Sequence, residues 1–291
     1  MGRAGIVLAL PSSPPAAVRT LDICLRRGEQ QQALQDQVAE ECAVALVYNG
    51  IPHVVMMVSP QQLDDFVLGF SLSEGIINHP DELLAMENHC RPQGIVMQIR
   101  VPTACQKQLQ QRRRNLAGRT GCGLCGAESL QQALPPVPPV TPRPLPTAAA
   151  IQTALLQLPT CQPLQALTGA MHGAAWCSAR GDILLLREDV GRHNALDKLL
   201  GALQRQQDRG HGLASETDGA GFVLVSSRAS YEMVQKVCSH NIGSLVALSA
   251  PTALAVERAQ AAGLNLVAFA REARHVIYTN PPASALEVSL S

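Results

Sequence analysis

Residues 222–269 read FVLVSSRASYEMVQKVCSHNIGSLVALSAPTALAVERAQAAGLNLVAF, and their rhythm decides the fold. Three short apolar runs, at 222–225, 245–248 and 266–269, are strand-sized and continuous rather than alternating with polar residues. Between them lie two stretches, 231–238 and 252–262, whose apolar residues recur at helical spacing. Strands apolar on both sides must be covered on both faces, so the order strand, helix, strand, helix, strand predicts α/β layers with helices over a sheet. Working backward, 183–186 is a further apolar run and about 193–204 a further helix; working forward, 276–279 predicts a last strand.

The chain changes character upstream. Apolar runs at 42–48 and 51–58 meet at Asn49-Gly50, the strongest short-range signal for a β-hairpin because both turn residues must take positive φ. Ser59-Pro60 then looks like a helix cap with proline in the first turn, and Gln62 completes the spacing of a capping box. The helix it predicts carries Leu63, Phe66, Val67 and Phe70 on one face and ends near Gly75. Residues 94–101 alternate as a strand, and 106–116 form a polar, Arg-rich stretch. Residues 134–146 hold too many prolines for a helix or a central strand, so they read as an interlobe linker. The division expected is a mobile leader over 1–40, an α+β lobe over 41–133, the linker over 134–146 and an α/β lobe over 147–291, α+β overall.

Composition narrows the function. The chain has 291 residues, 46% of them hydrophobic and 16% charged, with a formal net charge of zero and a pI of about 7.1. Such a balance offers no field to steer the molecule to nucleic acid or to an anionic membrane, so any anion site must be local. No run approaches the ~20 apolar residues of a membrane span. The apolar stretch at 6–10 is too short for a signal peptide. Nine cysteines, an odd count scattered through a long chain, argue for reduced thiols and hence a cytoplasmic location.

Chemistry concentrates in a few places. Thr120-Gly121-Cys122-Gly123-Leu124-Cys125-Gly126 surrounds two thiols with glycine. Two cysteines three apart can bind a metal, cycle a disulfide or relay sulfur. Zinc needs four ligands, and no second CxxC, CxxH or HxxxH completes a site. Thioredoxin-like motifs sit at a helix N-terminus, whereas this stretch has little helix propensity. A mobile loop suits sulfur relay between two surfaces. Arg112, Arg113, Arg114 and Arg119 stand ready to stabilise a thiolate or to form a solvated face.

Downstream, the run from Arg187 to Lys198, including Arg192 and His193, lies between a strand and a helix. That is where α/β proteins bind ligands, and equally where an ordinary helix start would fall. Ser226-Ser227-Arg228-Ala229-Ser230 is a similar junction suited to a phosphate, or to simple capping by Ser230, and Lys236 follows in the helix. His172 stands alone among small residues. Arg271 and Arg274 follow a strand and offer two guanidinium groups to an anion.

Taken together, 121–126, 168–172, 188–198, 227–236 and 249–256 resemble the FdhD family of formate dehydrogenase accessory sulfurtransferases, a likeness running from about Glu41 to Pro281. The resemblance implies a sulfurtransferase that accepts persulfide sulfur from a cysteine desulfurase. It implies delivery to the molybdenum of bis(molybdopterin guanine dinucleotide) before that cofactor enters formate dehydrogenase. It assigns the persulfide to Cys122, with Cys125 as its loop partner, and cofactor binding to Phe269, Ala270, Arg271, Glu272, Ala273 and Arg274. It also implies a cytidine-deaminase-like three-layer α/β lobe and a homodimer. Deamination itself is not expected, because His172 is followed by Gly173-Ala174 and the CxxC precedes it. The sequence departs from the family at Gly173, where alanine is common, and over 239–244. Two other classes remain open: a molybdenum-cofactor chaperone that moves no sulfur, and a CxxC thiol-disulfide oxidoreductase.

Overall fold

The computed structural model describes residues 13–106, 109, 136–208 and 221–281. Where the sequence suggests a mobile leader over 1–40, Val18–Arg27 (β1) and Gln30–Ala39 (β2) instead pair as an antiparallel ribbon. The signal is faint because the polar glutamines of β2 hide its period: the apolar residues Leu21, Ile23 and Leu25 alternate on β1, but only Ile23 meets an apolar partner, Leu34. Arg19 closes the base of the ribbon by donating from both Nε and a terminal nitrogen to Glu40, at 2.8 and 2.7 Å.

Cys42–Tyr48 (β3) and Ile51–Val58 (β4) form the expected hairpin, turning at Asn49 (φ 48°) and Gly50 (φ 79°). Ala85–Arg91 (β5) and Gly94–Arg100 (β6) complete a sheet in the order β4-β3-β6-β5, with β3 and β6 parallel. Leu63–Ser73 (α1) lays Phe66, Val67 and Phe70 against this sheet to close one core. The helix begins three residues later than a Ser59 cap would place it, with Gln62 at its start in a left-handed conformation and no side-chain cap. Ser59 is fully buried, and its polar groups are engaged elsewhere.

The second lobe opens with two helices, Ala148–Cys161 (α2) and Pro163–Thr168 (α3). His172–Cys177 (β7), Ile183–Asp189 (β8), Arg192–Asp208 (α4), Phe222–Val225 (β9), Tyr231–Ser239 (α5), Ser244–Ala247 (β10), Ala253–Ala262 (α6), Asn265–Arg271 (β11) and Arg274–Thr279 (β12) follow. The six strands lie in the order β12-β11-β10-β9-β7-β8, with β9, β10 and β11 parallel and the other pairings antiparallel. Side chains alternate between faces along a strand, so one sheet feeds two cores. Val223, Val225, Leu245 and Leu266 meet α4, α5 and α6 on one side, while Phe222, Leu224, Val246 and Val267 meet α2 on the other. This is a three-layer α/β arrangement, and each aliphatic side chain so buried contributes about 1.5–3 kcal/mol.

The proline-rich segment is less free than a linker. Residues 136–147 have no helix or strand, but Val140 sits in the core of the second lobe and its amide donates to Ala262 O at 2.9 Å. The Arg143 carbonyl accepts from Asn265 at 2.9 Å. The segment is a strap held along the lobe, because proline removes backbone donors without removing apolar surface or carbonyl acceptors.

Candidate functional site

Because β8, β9, β10 and β11 run the same way, they end at one edge of the sheet, where β7 begins. Loops at 189–191, 226–230, 248–252 and 269–274 therefore converge there with His172. The carboxyl edge of such a sheet is where α/β proteins place ligands. The loops are laced together by backbone bonds: Ala229 N to Ala250 O (3.2 Å), Thr252 N to Ala229 O (3.0 Å) and Phe269 N to Ser249 O (3.1 Å). The Ser226 hydroxyl ties in β7 by accepting from Gly173 N at 2.9 Å.

The segment 269–274 is the tip of the β11–β12 hairpin rather than a simple strand end. Phe269 and Ala273 both hold positive φ, 49° and 55°, which is an outlier for a bulky residue and belongs with functional or tightly determined turns. Ala270 is buried, whereas Arg271, Glu272, Ala273 and Arg274 are exposed. Gln152 of α2 fixes the tip by donating to Arg271 O and accepting from Ala273 N, both at 3.0 Å. Two guanidinium groups are thus presented to solvent on a fixed backbone.

The run from Arg187 to Lys198 and the later Lys236, read from sequence as ligand candidates or helix-start residues, are mostly occupied in joining the two lobes. Lys198 and Asp189 lie 2.6 Å apart with no side-chain exposure. Lys198 also donates to Ser59 O at 2.9 Å, and Asp189 accepts from Ser59 N at 3.0 Å. Asn194 reaches Met57 O, and Arg187 pairs with Asp65 of α1 at 2.8 Å. Lys236 binds Asp197 (3.0 Å) and Glu74 (3.1 Å). Burial pushes the Lys236 ammonium down, but Asp197 and Glu74 outweigh burial and carry it above its ordinary value. Glu188 caps the short α3 by accepting from Leu164 N and Gln165 N. The partners in the first lobe, Met57, Ser59, Asp65 and Glu74, lie far from the run in sequence, so its dense charge alone could not distinguish a seam from a pocket.

Other members of the motifs remain at the edge. His193 Nε2 lies 2.6 Å from Glu232 Oε2, linking the starts of α4 and α5. Burial pushes Glu232 up, but His193, together with Lys236 and Arg192, outweighs burial and holds it below its ordinary range. His172 is pushed down by burial and then by Arg192. Arg228 is exposed. A crevice of about 400 Å³, with Leu68, Leu83, Met86 and Arg205 among its walls, takes no residue from this edge.

Cys122 and Cys125, with Arg112, Arg113, Arg114 and Arg119, lie outside the described residues. The described cysteines are unpaired thiols, and most are poor nucleophiles. Burial pushes Cys42 up to about 11 and Cys238 to about 12, and raises Cys105 and Cys177 as well. Cys177 and Cys238, although close in sequence to edge motifs, are core residues.

A mixed α/β fold with its charged loops gathered on one sheet edge has a clear set of relatives. Residues 39–284 match the FdhD/NarQ family, and the chain belongs to that family. It is 47% identical to the sulfur carrier protein FdhD of Xanthomonas euvesicatoria over 95% of both chains. It is 49% identical to the sulfur carrier protein FdhD of Cupriavidus necator, covering 91% of this chain and 89% of that one. Its fold resembles the crystal structure of a protein from Desulfotalea psychrophila described as a formate dehydrogenase accessory protein. The TM-score is 0.65 at 22% identity, covering 92% of this chain and 99% of that one.

Proposed function

We propose that this protein is a sulfur carrier for formate dehydrogenase maturation, with Cys122 as the sulfur-bearing residue. The observation that carries the reading is the glycine-flanked Cys122/Cys125 pair in a chain 47% identical, over 95% of its length, to a sulfur carrier protein. The burial and raised pKa of Cys105, Cys177 and Cys238 support it by weakening the competing thiols. The donor is a cysteine desulfurase. The Cys122 thiolate attacks the outer sulfur of the donor's persulfide, the donor S–S bond breaks, and the donor cysteine leaves as a thiolate. Release follows when the Cys125 thiolate attacks Cys122 Sγ: a Cys122–Cys125 disulfide forms, hydrosulfide departs, and a cellular dithiol later restores both thiols.

The acceptor is the molybdenum of bis(molybdopterin guanine dinucleotide), received as substrate at the carboxyl edge. The exposed Arg271 and Arg274, on a hairpin tip pinned by Gln152, suit an anionic nucleotide. Phe269, Ala270, Glu272 and Ala273 supply the turn that presents them. The protein works as a homodimer in the cytoplasm and hands the loaded cofactor to formate dehydrogenase.

The exposed arginine pair also favours a second reading, a chaperone that binds the cofactor and moves no sulfur. Complementation of a bacterium lacking its own relative separates the two. Cys122→Ser is expected to abolish formate dehydrogenase activity, and Arg271→Gln with Arg274→Gln to lower it strongly. Full activity with Cys122→Ser, together with loss in the arginine variant, would replace the carrier by the chaperone.

A further inference from the structure

The ribbon of β1 and β2 is a sheet too small to stand alone. Among the described residues it joins no other strand, and an isolated pair of strands is at best marginal in water, where three or more with an apolar face are needed. The short α3 packs against β2, but its six residues span about 9 Å and a ten-residue strand about 33 Å. β1 is left open, with none of its ten residues buried. Its pairing with β2 runs through ten residue pairs without a shift, whereas β3–β4, β7–β8 and β11–β12 are each broken by an irregularity. A long, regular, uncovered edge is a template for another strand, and β1 has neither the bulge nor the proline that commonly blunts one.

The charges on β1 are spaced to pair with a copy of themselves. Asp22 and Arg26 lie four residues apart, on the same face as Cys24 between them. The ion pair of the ribbon, Arg19 with Glu40, uses neither, and Asp22 accepts from the uncharged Gln35 at 3.0 Å. When one strand pairs antiparallel with its own copy about a two-fold axis, facing residues stand equally far on either side of the residue at the axis. Centred on Asp22, the two carboxylates would face each other; centred on Ile23, Arg19 would face Arg27. Centred on Cys24, Asp22 faces Arg26 twice and Cys24 faces its own copy. The same register sets Ile23 against Leu25 twice on the other face, where the apolar stripe of β1 otherwise lies half-open. It is the single two-fold register that places Asp22 opposite an arginine of β1.

We infer that β1 pairs with β1 of a second copy of this chain, antiparallel about Cys24, to form a four-stranded intermolecular sheet in the order β2-β1-β1-β2. This rests on the proposed homodimer, and it adds the surface through which the two copies meet. Opposite charges and apolar pairs across the new strand boundary stabilise the register, and like charges there would oppose it.

Sedimentation of the full chain over a micromolar concentration series tests it, with wild type expected to dimerise. Asp22→Arg and Arg26→Asp each set like charges face to face, so each should raise the dissociation constant about tenfold or more. Both side chains are exposed, so the far-ultraviolet circular dichroism of these variants should match wild type. The double swap, Asp22→Arg with Arg26→Asp, restores opposite charges and should recover the dimer. A covalent readout comes from Cys24, the exposed thiol among the described cysteines. Facing Cα atoms on paired strands stand about 4.5–5.5 Å apart, within the reach of a disulfide. In a Cys122→Ser, Cys125→Ser background, diamide, which takes two electrons and two protons from a pair of thiols, should therefore cross-link the dimer. Cys24→Ser should abolish the cross-linked species on non-reducing electrophoresis. A dimer that ignores the charge reversals, is not recovered by the swap, or does not cross-link through Cys24 overturns the shared sheet and leaves the homodimer standing on another surface. A monomer at every concentration removes both.

Discussion

Asp189 and Lys198 show how a single charged pair can be read in two ways. In sequence they belong to a polar run at a strand-to-helix junction; in space they are fully buried, and both bind Ser59, some 130 residues earlier. Residue types were legible, but partners so distant in the chain were not. Lys198→Met would leave the Asp189 carboxylate buried without its cation, so a loss of about 3–5 kcal/mol is expected in urea unfolding. An unchanged midpoint would show that the seam does not need the pair. His240 gives a pH signature. Its Nδ1 lies 3.1 Å from Lys236 O, and burial pushes its pKa down to about 4 from an ordinary 6.5. The unfolded chain therefore takes up a proton at higher pH than the folded one. Stability should be fully present above about pH 6.5 and be lost as pH falls towards 4, by roughly 2–3 kcal/mol. His240→Asn should flatten that stretch of the profile when unfolding is followed from pH 7.5 to 5.

Elements differ in how openly the sequence announces them. The β3–β4 hairpin was plain, because Asn49-Gly50 is a local signal and both residues adopt the positive φ it requires. The β9-α5-β10-α6-β11 order was equally plain from continuous apolar runs between helical stripes. By contrast, β7 is built from His172-Gly173-Ala174-Ala175-Trp176-Cys177, with no β-branched residue to mark a strand. The α1–α4 crossing was also hidden. It depends on Gly69 and Gly201, where an added Cβ would stand 1.8 Å from Asp197 O and 2.0 Å from Asp65 O. Both neighbours are backbone and cannot turn aside. Gly69→Ala is therefore expected to destabilise by about 3 kcal/mol or more, whereas Gly50→Ala, in open space but at φ 79°, should cost only about 1 kcal/mol. Denaturant midpoints of the two variants measure the contrast, and equal losses would mean that the helices separate easily.

For the whole molecule, a buried polar seam locks a β-sheet lobe to a three-layer lobe, and among the described residues the carboxyl edge of the larger sheet is partly open to solvent. The α/β class and the Cys122/Cys125 motif were readable from one sequence because both are written in adjacent residues. The assembly of the edge from 172, 192–193, 226–232 and 269–274 was not, since strand order alone brings those segments together. Fixing the two lobes suits the proposed delivery of sulfur to one edge, and the proposed role of Cys122 as the sulfur-bearing thiol is the claim on which everything else turns. The protein should be incubated with a cysteine desulfurase and cysteine, and the intact mass of wild type, Cys122→Ser and Cys125→Ser recorded before and after reduction. A reducible gain of one sulfur atom in wild type and Cys125→Ser, absent from Cys122→Ser, is expected. No gain in wild type beside an active desulfurase, or an undiminished gain in Cys122→Ser, would contradict it.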